Sequence, residues 1–130
     1  MAPNAQMPNF VENTNQTPLN TPWTLYLDLP SSDNNYNNTP TFYCQNLIKI
    51  YKITTIESFW QVFNNIPAPS CLSCRYSYHL MRGDGTRQPT WEDPLNANGG
   101  HWKLKCHKQY TNLVWQELLL AAVGEQFSTS

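Results

Sequence analysis

A chain of 130 residues with eight lysines and arginines against nine aspartates and glutamates suits one domain. A net charge of −1 excludes a protein that grips a long RNA or DNA tract, because such a groove needs several phosphate-neutralising cations. Charged residues and aromatics each make up 13%, with five tryptophans, so stacking surface is plentiful and charge is scarce. No apolar run reaches the ~20 residues of a membrane span, and "MAPNAQMPNFVENTNQ" lacks the charged start and apolar stretch of a signal peptide. The compartment expected is the cytoplasm, with the nucleus as a second station, and no membrane is implied. Cys44, Cys71, Cys74 and Cys106 are then expected as thiols, and the two Asn-x-Thr sequons and the Arg82-Gly83-Asp84 tripeptide as chance matches.

Residues 1–17 are rich in Asn, Pro and Thr and read as a disordered polar tail, the domain proper occupying 18–130. "PWTLYLD" (22–28) alternates Trp23, Leu25 and Leu27 against Thr24, Tyr26 and Asp28, the period of a half-buried strand. A long polar loop follows, and "NLIKIYKI" (46–53) predicts a second strand from its β-branched and aromatic content. Thr54 and Glu57 have the spacing of a capping box, and Ile56, Phe59, Trp60 and Phe63 carry a helix to about Asn65, where Pro67 and Pro69 stop it. "RYSYHLMR" (75–82) alternates Tyr76, Tyr78 and Leu80 on one face. "HWKLKCHK" (101–108) sends Trp102, Leu104 and Cys106 one way, and the two segments read as strands three and four. From about Asn112 to Val123, Val114, Trp115, Leu118 and Ala122 share a helical face, with Gly124 at the C-cap. The order predicts an α+β protein, an antiparallel sheet with helices on one face and the open face left for a ligand.

The connector "PTWEDPLNANGG" (89–100) has neither helical nor strand periodicity, so Trp91 is not an inward-facing residue of a regular element. An indole with a carboxylate beside it suits a purine. A flat base stacks on the ring, a positively charged base gains more from the ring quadrupole, and one carboxylate can accept both N1–H and N2–H2 of guanine. Glu92 fits that part, with Asp93 as a neighbour able to substitute or merely hydrate. Cys71-Leu72-Ser73-Cys74 is a single CxxC without a second one, which is weak evidence for zinc. Without a nucleophile–base pair, phosphate loop or carboxylate dyad, the chain is not read as an enzyme, and no cofactor or metal is called for.

These residues carry a resemblance. "TPW" (21–23), "NLIKIYKITTIESFW" (46–60), "PTWEDPLNANGGHW" (89–102) and "VWQELLLAAVGEQF" (114–127) stand collinearly as in the mRNA cap-binding translation initiation factor 4E family. "YHLMRG" and "NGGHWKLK" look most like its third animal branch. The resemblance implies a curved antiparallel sheet with helices on its convex face and a cap slot on its concave face. It implies that Trp91 stacks on N7-methylguanine, that Glu92 binds the guanine edge, and that Tyr43 stands where most members carry a second tryptophan. His101 falls where many members have a basic residue near the cap phosphates. The convex surface of the family binds the scaffold factor 4G and 4E-binding proteins; Pro18, Ile56, Trp60, Glu117 and Leu120 match that site, while Thr17 and Gln116 depart from the usual histidine and leucine. Because members continue beyond the "GEQF" helix with further strands and a phosphate clamp, the resemblance implies that this chain is the N-terminal portion of such a domain. An incomplete sheet with an unpaired edge is then expected. The implied function is binding of the mRNA 5′ cap in translation initiation; the alternative is an interaction module that holds the scaffold or the 4E-binding proteins without cap and so regulates translation.

Overall fold

The computed structural model describes residues 15–30 and 47–127. Tyr43, most of the segment read as a tail and most of the first polar loop lie outside them. Among the described residues three strands, β1 (Pro18–Asp28), β2 (Leu47–Thr55) and β3 (Ser77–Arg82), form one antiparallel sheet in the order β2-β1-β3. Helices α1 (Ile56–Asn65) and α2 (Thr111–Val123) pack on one face of it, which is the α+β arrangement expected.

The core is a contact between residues of the central strand β1 and the edge strand β2 and one stripe of each helix. Trp23 and Leu25 from β1 and Ile53 from β2 meet Phe59 of α1 and Leu119 and Ala122 of α2, all buried. Leu80 and Tyr78 of β3 pack against this cluster, and the Tyr78 ring stacks on Trp115 with centroids 6.0 Å apart. The expected face of α2 is rotated. Leu119 is buried and Leu118 exposed, because the inward stripe runs Trp115, Leu119, Ala122 at i, i+4, i+7.

Helix α1 is capped one residue later than the sequence suggested. Thr55 is the N-cap: its hydroxyl accepts from the Ser58 amide at 3.0 Å, and the Ser58 hydroxyl accepts from the Thr55 amide at 3.0 Å. Glu57 is withdrawn from the expected box because both its oxygens accept from the Thr17 amide, at 3.1 and 2.9 Å. A hydrogen bond from its own backbone amide, and after it those from Thr17, hold its carboxyl below the usual range. The Thr17 carbonyl in turn accepts from the Ile56 amide at 2.9 Å, so the chain is tied down at the entrance to β1.

Helix α2 ends in a Schellman motif. The Glu125 amide donates to Ala122 and the Gln126 amide to Ala121, at 3.1 and 2.8 Å. Gly124 is required there because a Cβ would stand 2.9 Å from the Leu120 carbonyl. The left-handed residue is Glu125, with φ 54°, and it is held by Arg82, whose guanidinium donates to both of its oxygens at 2.7 and 3.0 Å. The same guanidinium lies 4.4 Å from the Trp23 ring and donates to Thr21 Oγ1 at 2.7 Å. Arg82 is therefore a strut between the sheet and the end of α2, not part of an adhesion tripeptide.

Three further expectations are corrected. Residues 101–107 are not a fourth strand: they pair with no other strand among the described residues, and Trp102 and Leu104 are 97% and 80% exposed instead of buried. Alternation alone does not make a strand without a ladder to complete its backbone hydrogen bonds. Strand β3 begins at Ser77 because Arg75, with φ 70°, turns the chain out of the extended region and leaves Tyr76 exposed. Finally, β1 is buried on both faces, not one: Thr24 is 0% and Tyr26 4% exposed.

Phe59→Ala opens the centre of the core and should cost about 3–5 kcal/mol. Trp102→Ser should stay within about 0.5 kcal/mol of the parent despite removing a larger side chain. Urea unfolding followed by far-ultraviolet circular dichroism measures both.

Candidate functional site

The second face of β1 is covered by the chain that leaves β3. Gly83 donates to the Pro22 carbonyl at 2.8 Å, and the Thr24 hydroxyl donates to the Gly83 carbonyl at 2.9 Å. The Tyr26 phenol donates to the Gly85 carbonyl at 3.2 Å. Gly85, at φ 98°, takes a turn that a side chain would strain. Burial and the neighbouring Asp84 charge push the Tyr26 phenol up. The loop is thus seated on the sheet before it reaches Trp91.

Beyond that seat, residues 87–99 are held by their own polar side chains. Asp93 is the first centre: Oδ2 accepts from the Gln88 amide and Oδ1 from the Leu95 amide, both at 2.9 Å. Asn96 is the second, donating to the Gln88 and Thr90 carbonyls at 2.9 and 2.8 Å and accepting from Arg87 Nε at 2.9 Å. Arg87 also donates to the Leu95 carbonyl at 2.9 Å. Its charge is a lesser cause, after the two backbone hydrogen bonds, of the lowered Asp93 carboxyl. The sequence reading offered Asp93 as a substitute for Glu92 at a ligand; the structure gives it to the backbone. The Asp-x-Leu spacing of an Asx-turn was the available signal, and Arg87 and Asn96 carried none.

This polar frame presents Trp91 outward. The indole is 58% exposed, beside a shallow groove of about 290 Å³ lined by Met81, Arg87, Leu95 and the backbone of Gly99 and Gly100. Glu92 is exposed, with no hydrogen bond or ion pair among the described residues. The His101 ring meets the Trp91 indole at 5.6 Å between centroids, planes 73° apart. A flat ring with a free carboxylate beside it can stack on a planar heterocycle and accept hydrogen bonds from its edge.

On the opposite face, Pro18, Ile56, Trp60 and Leu120 come together with Leu19, Phe59 and Val123 around a groove of about 420 Å³. Trp60 is 38% exposed, its ring set edge-on against Phe59 and Phe63 at 5.1 and 5.8 Å, so it is both a wall of this groove and a cover for the core. Glu117 is exposed on α2, about one turn before Leu120, and does not line the groove. Glu125 lines the rim and is already paired with Arg82.

Elsewhere the chemistry is sparse. Cys71, Cys74 and Cys106 are exposed free thiols, and no group of three metal-binding side chains occurs among the described residues. His79 lies 3.4 Å from Asp28 on the sheet, a pairing between neighbouring strands. No described helix is long and apolar enough to cross a membrane.

An open antiparallel sheet, two helices on one face and a ring-presenting loop on the other define an α+β fold. The model of the eukaryotic initiation factor 4E family matches residues 18–130, and the chain belongs to that family. It is similar to eukaryotic translation initiation factor 4E-1 of Hordeum vulgare subsp. vulgare, 34% identical over 110 residues, which cover 85% of this chain and 48% of that protein. The counterpart from Solanum lycopersicum is 35% identical over 116 residues, covering 89% and 48%. Among solved structures it is similar to C. elegans eIF4E-3 in complex with the 4E-binding protein Mextli and a cap analog, at TM-score 0.73 and 30% identity. Ascaris suum eIF4E-3 in complex with the m2,2,7G cap gives 0.72 and 32%. Both alignments cover 87% of this chain and 60% of the other. The chain spans about half the length (48%) of the curated relatives it matches.

The loop has its own acid limit. Because the folded Asp93 carboxyl is lowered, ionised Asp93 contributes to loop order above the ordinary aspartate range of about pH 4. That contribution is lost as pH falls through the folded value. Protection of the Gln88 and Leu95 amides from hydrogen exchange, taken relative to their intrinsic rates at each pH, should therefore fall selectively in acid, and in Asp93→Ala it should already be low at pH 6.

Proposed function

We propose that this chain binds the N7-methylguanosine cap of mRNA in translation initiation. The base stacks on Trp91, and the Glu92 carboxylate accepts guanine N1–H and N2–H2. The observation that carries this reading is the exposure of Trp91 on a loop whose backbone is braced by Asp93 and Asn96. An indole left 58% in water by a rigid frame is available for a ligand and is not folded back into the core. The positive charge of the methylated base strengthens its attraction to the ring face. Glu92 needs no rearrangement to accept two donors, being unengaged among the described residues. The relatives solved with a cap analog and with the m2,2,7G cap support cap binding as the activity. Tyr43 is assigned the second wall of the slot on the family resemblance.

The helical face serves a different partner in this reading. Pro18, Ile56, Trp60 and Leu120 offer an apolar groove of the kind an amphipathic helix fills, and the partners proposed are the scaffold factor 4G and 4E-binding proteins. Glu117 stands exposed on α2 outside this groove, and a part in the binding is assigned to it on the family resemblance. The relative solved with Mextli supports a 4E-binding protein as partner. An interaction module without cap binding is not favoured, since the Trp91 loop is as well formed as the groove. The activity proposed is binding without catalysis, and the cytoplasm, where mRNA is translated, is its place.

Tryptophan fluorescence titration with N7-methyl-GTP beside unmethylated GTP tests the slot. The parent should be quenched selectively by the methylated nucleotide. Trp91→Ala should lose roughly 1–3 kcal/mol of stacking, and Glu92→Gln should relax the preference for guanine. Equal binding by both variants and the parent would place the ligand elsewhere.

Trp60→Ala separates the two faces. It should abolish most binding of a helical 4G-type peptide, by about 2 kcal/mol or more, and leave cap affinity unchanged. Calorimetry with each ligand in turn reads this; loss of both together would mean that Trp60 acts chiefly as core.

A further inference from the structure

The contact between His101 and Trp91 joins two exposed rings that no core packing holds in place. Their centroids are 5.6 Å apart and their planes 73° from parallel, the edge-on geometry in which a ring edge meets the π-face of its partner. The backbone makes this meeting possible. Gly99 donates to the Asn96 carbonyl at 2.9 Å, which turns the chain directly after the pinned loop, and Gly100 then leads His101 back toward the ring. A Cβ at Gly99 would stand 3.3 Å from that carbonyl, so the turn is tight. The imidazole makes no hydrogen bond or ion pair among the described residues, and Trp91 is the ring it touches.

An indole 58% exposed on a loop is free to rotate unless something meets its side chain, and a ring frozen only on binding costs affinity. The polar frame of Asp93 and Asn96 fixes the loop backbone, not the side-chain torsions of Trp91. We propose that His101 is a positioning residue for Trp91. Its edge-on contact holds the indole in one rotamer and leaves the ring presented to the incoming base. This inference rests on the cap-binding reading and deepens it, because it assigns His101 an action through the ring of Trp91 and not through charge on a phosphate.

The two actions are separable by ligand and by substitution. N7-methylguanosine, which has no phosphate, and N7-methyl-GTP are titrated against the 130-residue chain, His101→Ala and His101→Phe, with thermal unfolding confirming that each variant is folded. Positioning through the ring contact predicts that His101→Ala binds both ligands more weakly by the same factor, about 2- to 10-fold. It also predicts that His101→Phe, aromatic but uncharged, restores affinity for both. A loss confined to the triphosphate and not restored by phenylalanine would show that His101 reads phosphate and would overturn the inference. Unchanged binding by His101→Ala would overturn it too. If the folded parent binds neither ligand, the cap reading fails and this inference falls with it, whereas binding by the parent with no effect at His101 leaves the cap reading standing.

Discussion

Strand β1 lies between β2 and β3 and is buried on both faces, and every other part of the molecule is placed by one of those faces. On one side Trp23 and Leu25 receive the stripes of the two helices; on the other Thr24 and Tyr26 are sealed by the chain leaving β3. A buried hydroxyl needs a partner, and the carbonyls of Gly83 and Gly85 supply it. The hydrogen-bonding need of β1's polar side chains therefore fixes where the Trp91 loop begins. The hydrophobic need of its apolar ones fixes where the helical groove lies.

The two surfaces meet at the end of β3. Arg82 closes the helical side by bracing Glu125 and covering Trp23, and the next residue, Gly83, opens the loop on the other side by bonding to Pro22. Glu125 keeps its left-handed backbone while its carboxylate is held by that guanidinium and by Thr21, which together lower its carboxyl. These groups are partly exposed, so their worth lies more in geometry than in ion-pair energy. They orient α2, whose Leu120 and Val123 form one wall of the groove.

Within the loop, polar and aromatic residues divide the work. Asp93, Asn96 and Arg87 spend their hydrogen-bonding capacity on the backbone of residues 88–96, which removes the need for apolar anchors inside the loop. The aromatic residue is left over for recognition, and a carboxylate one position away remains unengaged. This arrangement matches a general requirement of binding sites, that the groups meeting the ligand be carried on a support that does not rearrange.

The sequence by itself determined a good deal. Period-2 alternation in 22–28, the β-branched and aromatic content of 46–53, helical spacing from Ile56 to Phe63, and a tryptophan caught between prolines could each be realised in one way, because the pattern and its local hydrogen bonding agree. What only the tertiary structure decided were choices among equals. The spacing put the cap at Thr54 where the structure puts it at Thr55, and Glu57 lost its part because the Thr17 amide claimed it. Tyr26 looked solvent-facing until a distant loop supplied a cover and an acceptor. Asp93 and Glu92, adjacent carboxylates, were parted by which of them faced the amides of Gln88 and Leu95. Residues 101–107 alternate as well as β1 does, yet lie unpaired among the described residues, since a strand is completed by the hydrogen bonds of its neighbour and no periodicity within the segment can provide them.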